Sequence, residues 1–344
     1  MDNQKNHEIR LKSRPVGLPT ADNFELAETA VPNPGTGQVL VRNSYISVDP
    51  YMRGRMMDRQ SYVPPFQIGE ALTGGAVGQV VAAGAGAPFK VGDHVQSMAG
   101  WREWYVSTGA EMMMKIDPIP GVGVQSFLGA LGMPGLTAYV GLLKTAEFKP
   151  EDSVFVSAAS GAVGQIVVQI AKAKGAKRVV GSAGSDEKCA YLKEIGCDTA
   201  INYKTCGDLT GAVTKAFPDG IGVYFDNVGG GHLEAAIANM RPFGRLAECG
   251  MIEQYNAVEP PAGPRNMIMV VGLRLAMRGF IVSDHFNMLP EFIRDMAAWT
   301  KDGKMSWRET ILDGIERAPE AFIGLFKGEN FGKMLVRVGP DKAV

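Results

Sequence analysis

Cysteine is scarce and late in this chain. Only Cys189, Cys197, Cys206 and Cys249 occur among 344 residues, and no two of them form a Cys-x-x-Cys pair. That pattern excludes a dense disulfide framework and the paired thiolates of a structural zinc lobe, and it leaves free thiols in a reducing compartment. Histidine is equally sparse: His7, His94, His232 and His285 are scattered, and no ordinary spacing assembles them into a catalytic zinc site. Charge of one sign is also missing. The 35 Lys and Arg residues nearly cancel the 36 Asp and Glu residues, for a net charge of −1, so no field is available to hold a nucleic acid or an acidic membrane surface. The opening MDNQKNHEIRLKSRP lacks the apolar core of a secretory signal. The longest weakly charged stretch, 121–143, is broken by glycines, Pro134, Gln125, Ser126 and Thr137, and reads as domain interior rather than a membrane span. A cytoplasmic protein is expected, with no membrane or nucleic-acid partner. Repeats, low-complexity segments and like-charge blocks are absent from the sequence as well.

What is present is a chain with 46% apolar residues, long enough for two domains. To about residue 121, short β-branched runs such as QVLVRNSYIS and AVGQVVAAG alternate with glycine and proline, the texture of a barrel-like β domain. From about residue 125 the pattern changes. SVFVSA, RVVGSA, TAINY, VYFDNV, RLAECG and RGFIV are compact apolar strands separated by helix-length amphipathic segments, which predicts a parallel sheet covered on both faces. A tail with a short segment ETILDGIE, a helix near 319–327 and a strand near 333–338 is free to return to the first domain.

The strongest local signal is SVFVSAASGAVGQ, where a strand at 153–157 enters the turn A-x-G-x-x-G formed by Ala159, Gly161 and Gly164. This is a Rossmann strand, turn and helix with alanine in place of the first glycine. Small residues let the backbone approach a pyrophosphate, and the helix start offers unpaired N–H groups with a positive dipole end. An enzyme specific for NAD usually places an acid at the end of the second strand to accept from the ribose 2′-hydroxyl. Here that place reads Gly181, Ser182, Ala183, Gly184, with no acid to repel a 2′-phosphate. Ser185 and Lys188 instead open the next helix, and Tyr203 follows the third strand. A hydroxyl and an ammonium suit a dianion, so NADPH is expected over NADH.

AASGAVGQ, GSDEK, NYKT and FDNVGG together resemble the medium-chain dehydrogenase/reductase superfamily, in its zinc-independent branch of prostaglandin reductases, leukotriene hydroxydehydrogenases, 2-alkenal reductases and curcumin reductases. SVDPYMRGRM, GMPGLTAYVGL, ECGMIEQYN, RGFIV and KGENFGK extend the likeness over nearly the whole chain. The resemblance implies a Rossmann doubly wound NADP-binding domain over 125–304 and a GroES-like β-rich catalytic domain from 1–124 with 305–344. It also implies a homodimer. Its pyrophosphate turn maps to Ala158, Ala159, Ser160, Gly161, Ala162, Val163 and Gly164, and its 2′-phosphate site to Gly184, Ser185, Lys188 and Tyr203. Around the rest of the cofactor it implies Pro50, Met133, Thr137, Asn227 and Cys249. Gly250, Met251, Ile252, Tyr255, Phe280, Ile281, Val282 and Asn330 complete that set. Zinc alcohol dehydrogenases carry an early cysteine ligand and a Gly-His-Glu triplet, whereas this chain reads Ile68-Gly69-Glu70 and has no cysteine before Cys189.

Without a Lewis acid, hydride transfer needs an acceptor whose negative charge moves onto an oxygen, as in a conjugated enone or alkenal. The expected reaction adds hydride at the β-carbon and a proton at the α-carbon of such a carbonyl compound. Tyr255 is the first candidate for proton donor or oxyanion anchor, with ordered water as the other proton source, and Tyr51 is a second catalytic candidate at the pocket. Arg53 reads as an ion-pair partner or a carboxylate clamp. Cys249 has no neighbouring base and reads as a cofactor wall rather than a nucleophile. NADPH:quinone reduction and a non-catalytic NADPH-binding role stand as alternatives.

Overall fold

The computed structural model describes residues 5–340 apart from Glu111, Pro118 and Pro120. The chain divides into two compact units. One is built from the chain to Leu128, Glu309–Asn330 and the segment from Met334 onward, and the other from Gly129–Arg308 with Phe331–Lys333. The expected divisions at 124/125 and 304/305 fall four residues earlier than the observed ones. Phe331–Lys333 belongs with the α/β unit because Gly332 N donates to Ser160 O (2.9 Å) and Lys333 N to Arg308 O (3.1 Å).

The first unit begins with β1 (Lys5–Leu11) and β2 (Phe24–Ala30), an antiparallel pair that the polar opening of the chain did not announce. Alternation explains it: Ile9 and Leu11 are buried on one face, while Glu8 and Arg10 on the other are only partly exposed and pair with each other. Next come β3 (Val39–Ser47), β4 (Ala76–Ala83), β5 (His94–Ser97), β6 (Trp104–Ser107) and β7 (Met114–Ile116). β3 is buried along nearly its whole length, as its run of Val39, Leu40, Val41 and Ile46 requires.

In the second unit, β8 (Ser153–Val156), β9 (Arg178–Ala183), β10 (Thr199–Asn202), β11 (Ile221–Asp226), β12 (Met240–Glu248) and β13 (Ala276–Gly279) form one sheet in the order β10-β9-β8-β11-β12-β13. Every pairing in it is parallel. The order reverses between β8 and β11, which is the switch point where doubly wound sheets bind nucleotides. Alternate strand residues feed two separate cores. Val154, Val156, Val179, Val223, Phe225 and Ala247 enter one, and Phe155, Val180, Tyr224 and Leu246 the other. Continuous apolar runs are thus the mark of a sheet buried on both faces. The last strand is Ala276–Gly279 rather than 278–282, because its partner β12 ends at Glu248, paired with Gly279, and beyond it Cys249 N turns to Asp226 O. Phe280 and Ile281 therefore follow the sheet, and Val282 opens a short 3-10 turn, Val282–Met288. β14 (Glu309–Asp313) and β15 (Lys333–Arg337) then complete the first unit's larger sheet, of order β14-β15-β3-β4-β5-β7 with β6 on β3.

Candidate functional site

The turn after β8 is shaped by contact between backbones. A Cβ on Gly164 would lie 2.5 Å from Ala158 O and 2.6 Å from Ala159 Cα, so only glycine lets the helix Gly164–Ala173 begin this close to the strand. Ala158 holds a left-handed φ of 45°, a conformation that costs a non-glycine residue energy and clusters at functional turns. Alanine is tolerated at position 159 because the adjacent strand offers Gly181, where a Cβ would stand 2.7 Å from the Ala159 methyl. Gly161 N donates to Ala158 O (2.9 Å) and closes the turn, and no side chain caps the helix start that follows.

At the ends of β9 and β10 the structure gathers a cationic pocket. Ser185 caps the helix Asp186–Glu194, its hydroxyl accepting from Lys188 N at 3.2 Å. A Cβ on Gly184 would meet the Tyr203 hydroxyl at 2.9 Å and Lys204 Cε at 3.2 Å, so the backbone there lies bare beneath both side chains. Burial, and then the charge of Lys204, pulls the Lys188 ammonium below its ordinary range. Two crowded ammonium groups beside a phenol and a helix start are suited to a dianion. Lys204 was absent from the sequence-based set although it directly follows Tyr203 in NYKT, and its contact with Gly184 is a product of the fold.

The ends of β11 and β12 carry the second group. Asn227 N donates to Ser157 Oγ and its side-chain amide to Ser157 O, both at 2.8 Å, which fixes it across the switch point. Cys249 and Gly250 hang from Asp226 O through their N–H groups at 2.9 and 3.1 Å. Tyr255 lies on the following turn, where its phenol oxygen accepts from Met251 N at 3.3 Å and sits over Gly250. Burial, followed by the charges of Asp226 and Glu248, pushes the Cys249 thiol up to about 12, which leaves no thiolate for nucleophilic chemistry. The Thr137 hydroxyl is turned back onto Met133 O at 2.8 Å. That helix, Met133–Tyr139, continues into a π-helical turn, Val140–Thr145, in which a Cβ on Gly141 would strike the rings of Phe225 and Phe280 at 2.5 Å. This inserted turn was not foreseen from GMPGLTAYVGL; it brings Phe280 against the core.

Pro50, Tyr51 and Asn330 lie in the β-rich unit. Burial and then the charge of Asp49 push the Tyr51 phenol above its ordinary range, and Arg55 bonds to it. Arg53, expected in an ion pair or as a clamp, is buried with its guanidinium on the carbonyls of Gly17 (2.9 Å) and Pro15 (3.4 Å). Two surface grooves, of about 440 and 620 Å³, share no lining residue with the candidate set.

Residues 7–116 match the family described as the N-terminal domain of oxidoreductase, and residues 162–298 the family described as zinc-binding dehydrogenase. Among the described residues no three His, Cys, Asp or Glu side chains gather to hold a metal. The chain is 43% identical to the NADPH-dependent curcumin reductase of Escherichia coli, over 98% of each chain. It is 42% identical to the NADP(+)-dependent 2-alkenal reductase of Nicotiana tabacum, again over 98% of each. Among solved structures, CurA of Vibrio vulnificus in complex with NADPH superposes with a TM-score of 0.91 at 42% identity, covering 97% of this chain and 99% of that one. With the sheet order, the glycine turn and this likeness along its whole length, the chain belongs to the medium-chain dehydrogenase/reductase superfamily, in the branch of the prostaglandin, 2-alkenal and curcumin reductases.

Proposed function

We propose that this protein is an NADP-dependent oxidoreductase that reduces the carbon–carbon double bond of α,β-unsaturated ketones and aldehydes. The observation that carries the reading is full-length likeness to reductases of that class, joined to a pocket of Lys188, Lys204, Tyr203 and Ser185 suited to a 2′-phosphate. The α/β unit is assigned as the NADP-binding domain, with Ala158, Ala159, Ser160, Gly161, Ala162, Val163 and Gly164 at the pyrophosphate. The β-rich unit is assigned as the GroES-like catalytic domain. Asn227, Cys249, Gly250, Met251, Ile252, Tyr255, Phe280, Ile281 and Val282, with Met133 and Thr137, are assigned to the rest of the cofactor, including its nicotinamide half.

Bound NADPH supplies the hydride, which the β-carbon of the substrate accepts, while a proton reaches the α-carbon; no metal takes part. The residues of the chain have three tasks. They hold the cofactor, they stabilise the negative charge that develops on the carbonyl oxygen, and they deliver the proton. Preorganised hydrogen-bond donors of this kind contribute roughly 2.7–4 kcal/mol each in comparable sites. Tyr255, set by Met251 N, is the proposed proton donor or oxygen anchor. Tyr51, Pro50 and Asn330 enter the proposal from the resemblance, the first as a second catalytic phenol and the others as cofactor contacts.

The protein is proposed to act in the cytoplasm as a homodimer. Four free thiols suit a reducing compartment, and among the described residues no helix is long and apolar enough to cross a membrane. Among the described residues β13 is an unpaired edge of its sheet, and Ile268 and Val271 on the helix Ile268–Leu273 are well exposed, features that suit a second copy. The test is oxidation of NADPH and NADH with a 2-alkenal, an aryl enone, a quinone and a saturated aldehyde. Saturated products from the alkenal and the enone, with NADPH preferred, are expected. Turnover with the quinone alone, or with no acceptor, overturns the assignment.

A further inference from the structure

Two carboxyl groups lie side by side in the α/β unit with no role in the chemistry above. Asp226 ends β11 and Glu248 ends β12, and the parallel pairing sets them opposite one another on the face they share with Tyr224 and Leu246. Asp226 is fully buried, and its Oδ1 accepts four hydrogen bonds, from the hydroxyls of Tyr224 (2.7 Å) and Ser157 (2.9 Å) and from Val228 N (2.8 Å) and Gly229 N (2.9 Å). The last two stand at the start of the helix Gly230–Ala238, whose dipole favours negative charge on Asp226. Its Oδ2 and both carboxyl oxygens of Glu248 are buried, and among the described residues no donor reaches them. Three acceptor oxygens sealed together without a proton would be costly. One proton on Glu248, donated to Asp226 Oδ2, resolves the arrangement.

We propose that Glu248 is a positioning residue: it shares one proton with Asp226, and this bond ties the ends of β11 and β12 so that 227–230 and 249–255 leave the sheet in fixed register. Asn227 and Tyr255 lie on those two segments, so the bond acts on the cofactor site through them. The proposal rests on the assignment of that site to NADPH. Burial and the neighbouring charge of Asp226 push the Glu248 carboxyl up to about 8. The other titratable groups around the pair are Tyr224 on β11, Cys249 after β12 and His232 on the helix Gly230–Ala238, while β13 places Gly279 beside Glu248. Burial keeps the phenol and the thiol protonated and pulls His232 below its ordinary range, so these groups bring no positive charge to the pair.

The folded chain holds this proton to higher pH than an exposed glutamate does, so between the two titrations the folded state binds the extra proton. Stability from this group therefore falls as pH rises and is lost above the upper limit. The experiment compares wild type with Glu248→Gln, whose amide donates to Asp226 at every pH. The melting temperature of the cofactor-free protein and the NADPH dissociation constant, read by cofactor fluorescence, are followed from pH 6 to pH 9. Wild type is expected to lose several degrees and at least fivefold in affinity relative to the variant over this range. The contribution of Lys188 is common to both proteins and cancels in the ratio. Parallel profiles in both measurements overturn the proposal. Divergent melting with no NADPH binding by either protein upholds the shared proton but overturns both the cofactor reading and the positioning role. Should the variant fail to fold, the carboxylic-acid carbonyl band in the infrared spectrum of wild type at pH 7 decides: its presence supports the shared proton and its absence removes it.

Discussion

The same edge of one parallel sheet holds two groups of opposite charge with opposite habits. On the flank of β9 and β10, Lys204 and Tyr203 crowd over Gly184 and the charge of Lys204 acts on Lys188, with Tyr203 partly exposed. Across the switch point, on β11 and β12, Asp226 and Glu248 are sealed, and their hydrogen bonds hold loops rather than face outward. Like charges brought together while half-buried are suited to a dianion, whereas like charges fully buried together must settle their balance internally, with a proton. On the reading proposed above, the first flank selects a cofactor by charge and the second sets the shape of the segments that meet it.

The contrast breaks or sharpens under substitution. The largest effect is expected from replacing Lys188 and Lys204 together by alanine. Each charge-assisted bond nets roughly 1.5–3 kcal/mol, so NADPH affinity should fall about 10²- to 10⁴-fold while NADH, which lacks the 2′-phosphate, shifts about twofold or less. Titration of both cofactors reads this, and equal losses would sink the division of labour. Next comes Tyr255→Phe on the other flank, expected to lower turnover about 10²-fold in steady-state assays with an enone while leaving the NADPH dissociation constant within about twofold. A loss confined to cofactor binding would return Tyr255 to packing. Exchange of Glu248 for glutamine flattens the pH profiles by the smaller factor given above. The mildest change is Cys249→Ala, with a stability loss of about 1 kcal/mol and turnover retained. Rapid inactivation of wild type by a thiol-alkylating reagent, absent in that variant, would contradict the protonated, buried thiol.

Much of the cationic flank was legible because its parts are neighbours along the chain. The turn 158–164, the cap Ser185 and Lys188 each follow a strand directly, and each states its chemistry within a few residues. Lys204 escaped because a lysine in a loop announces nothing until Gly184 is seen beneath it. The acid pair escaped for a deeper reason. Asp226 and Glu248 are separated by an entire helix, Gly230–Ala238, and become neighbours only through the register of β11 on β12. The end of β13 was misplaced for the same cause, since Phe280, Ile281 and Val282 continue the apolar run and only the length of β12 decides where pairing stops.

Local order along the chain therefore determined most strands of the parallel sheet, the glycine turn and the helix start at Ser185, because those features are fixed by short-range sterics and by hydrogen bonds between near neighbours. Tertiary structure alone decided which distant charges meet, which are sealed from water, and that Ala159 can stand for glycine against Gly181. Burial and cross-strand register are properties of the packed sheet, and the proton that two carboxylates must share exists only once both have lost their water.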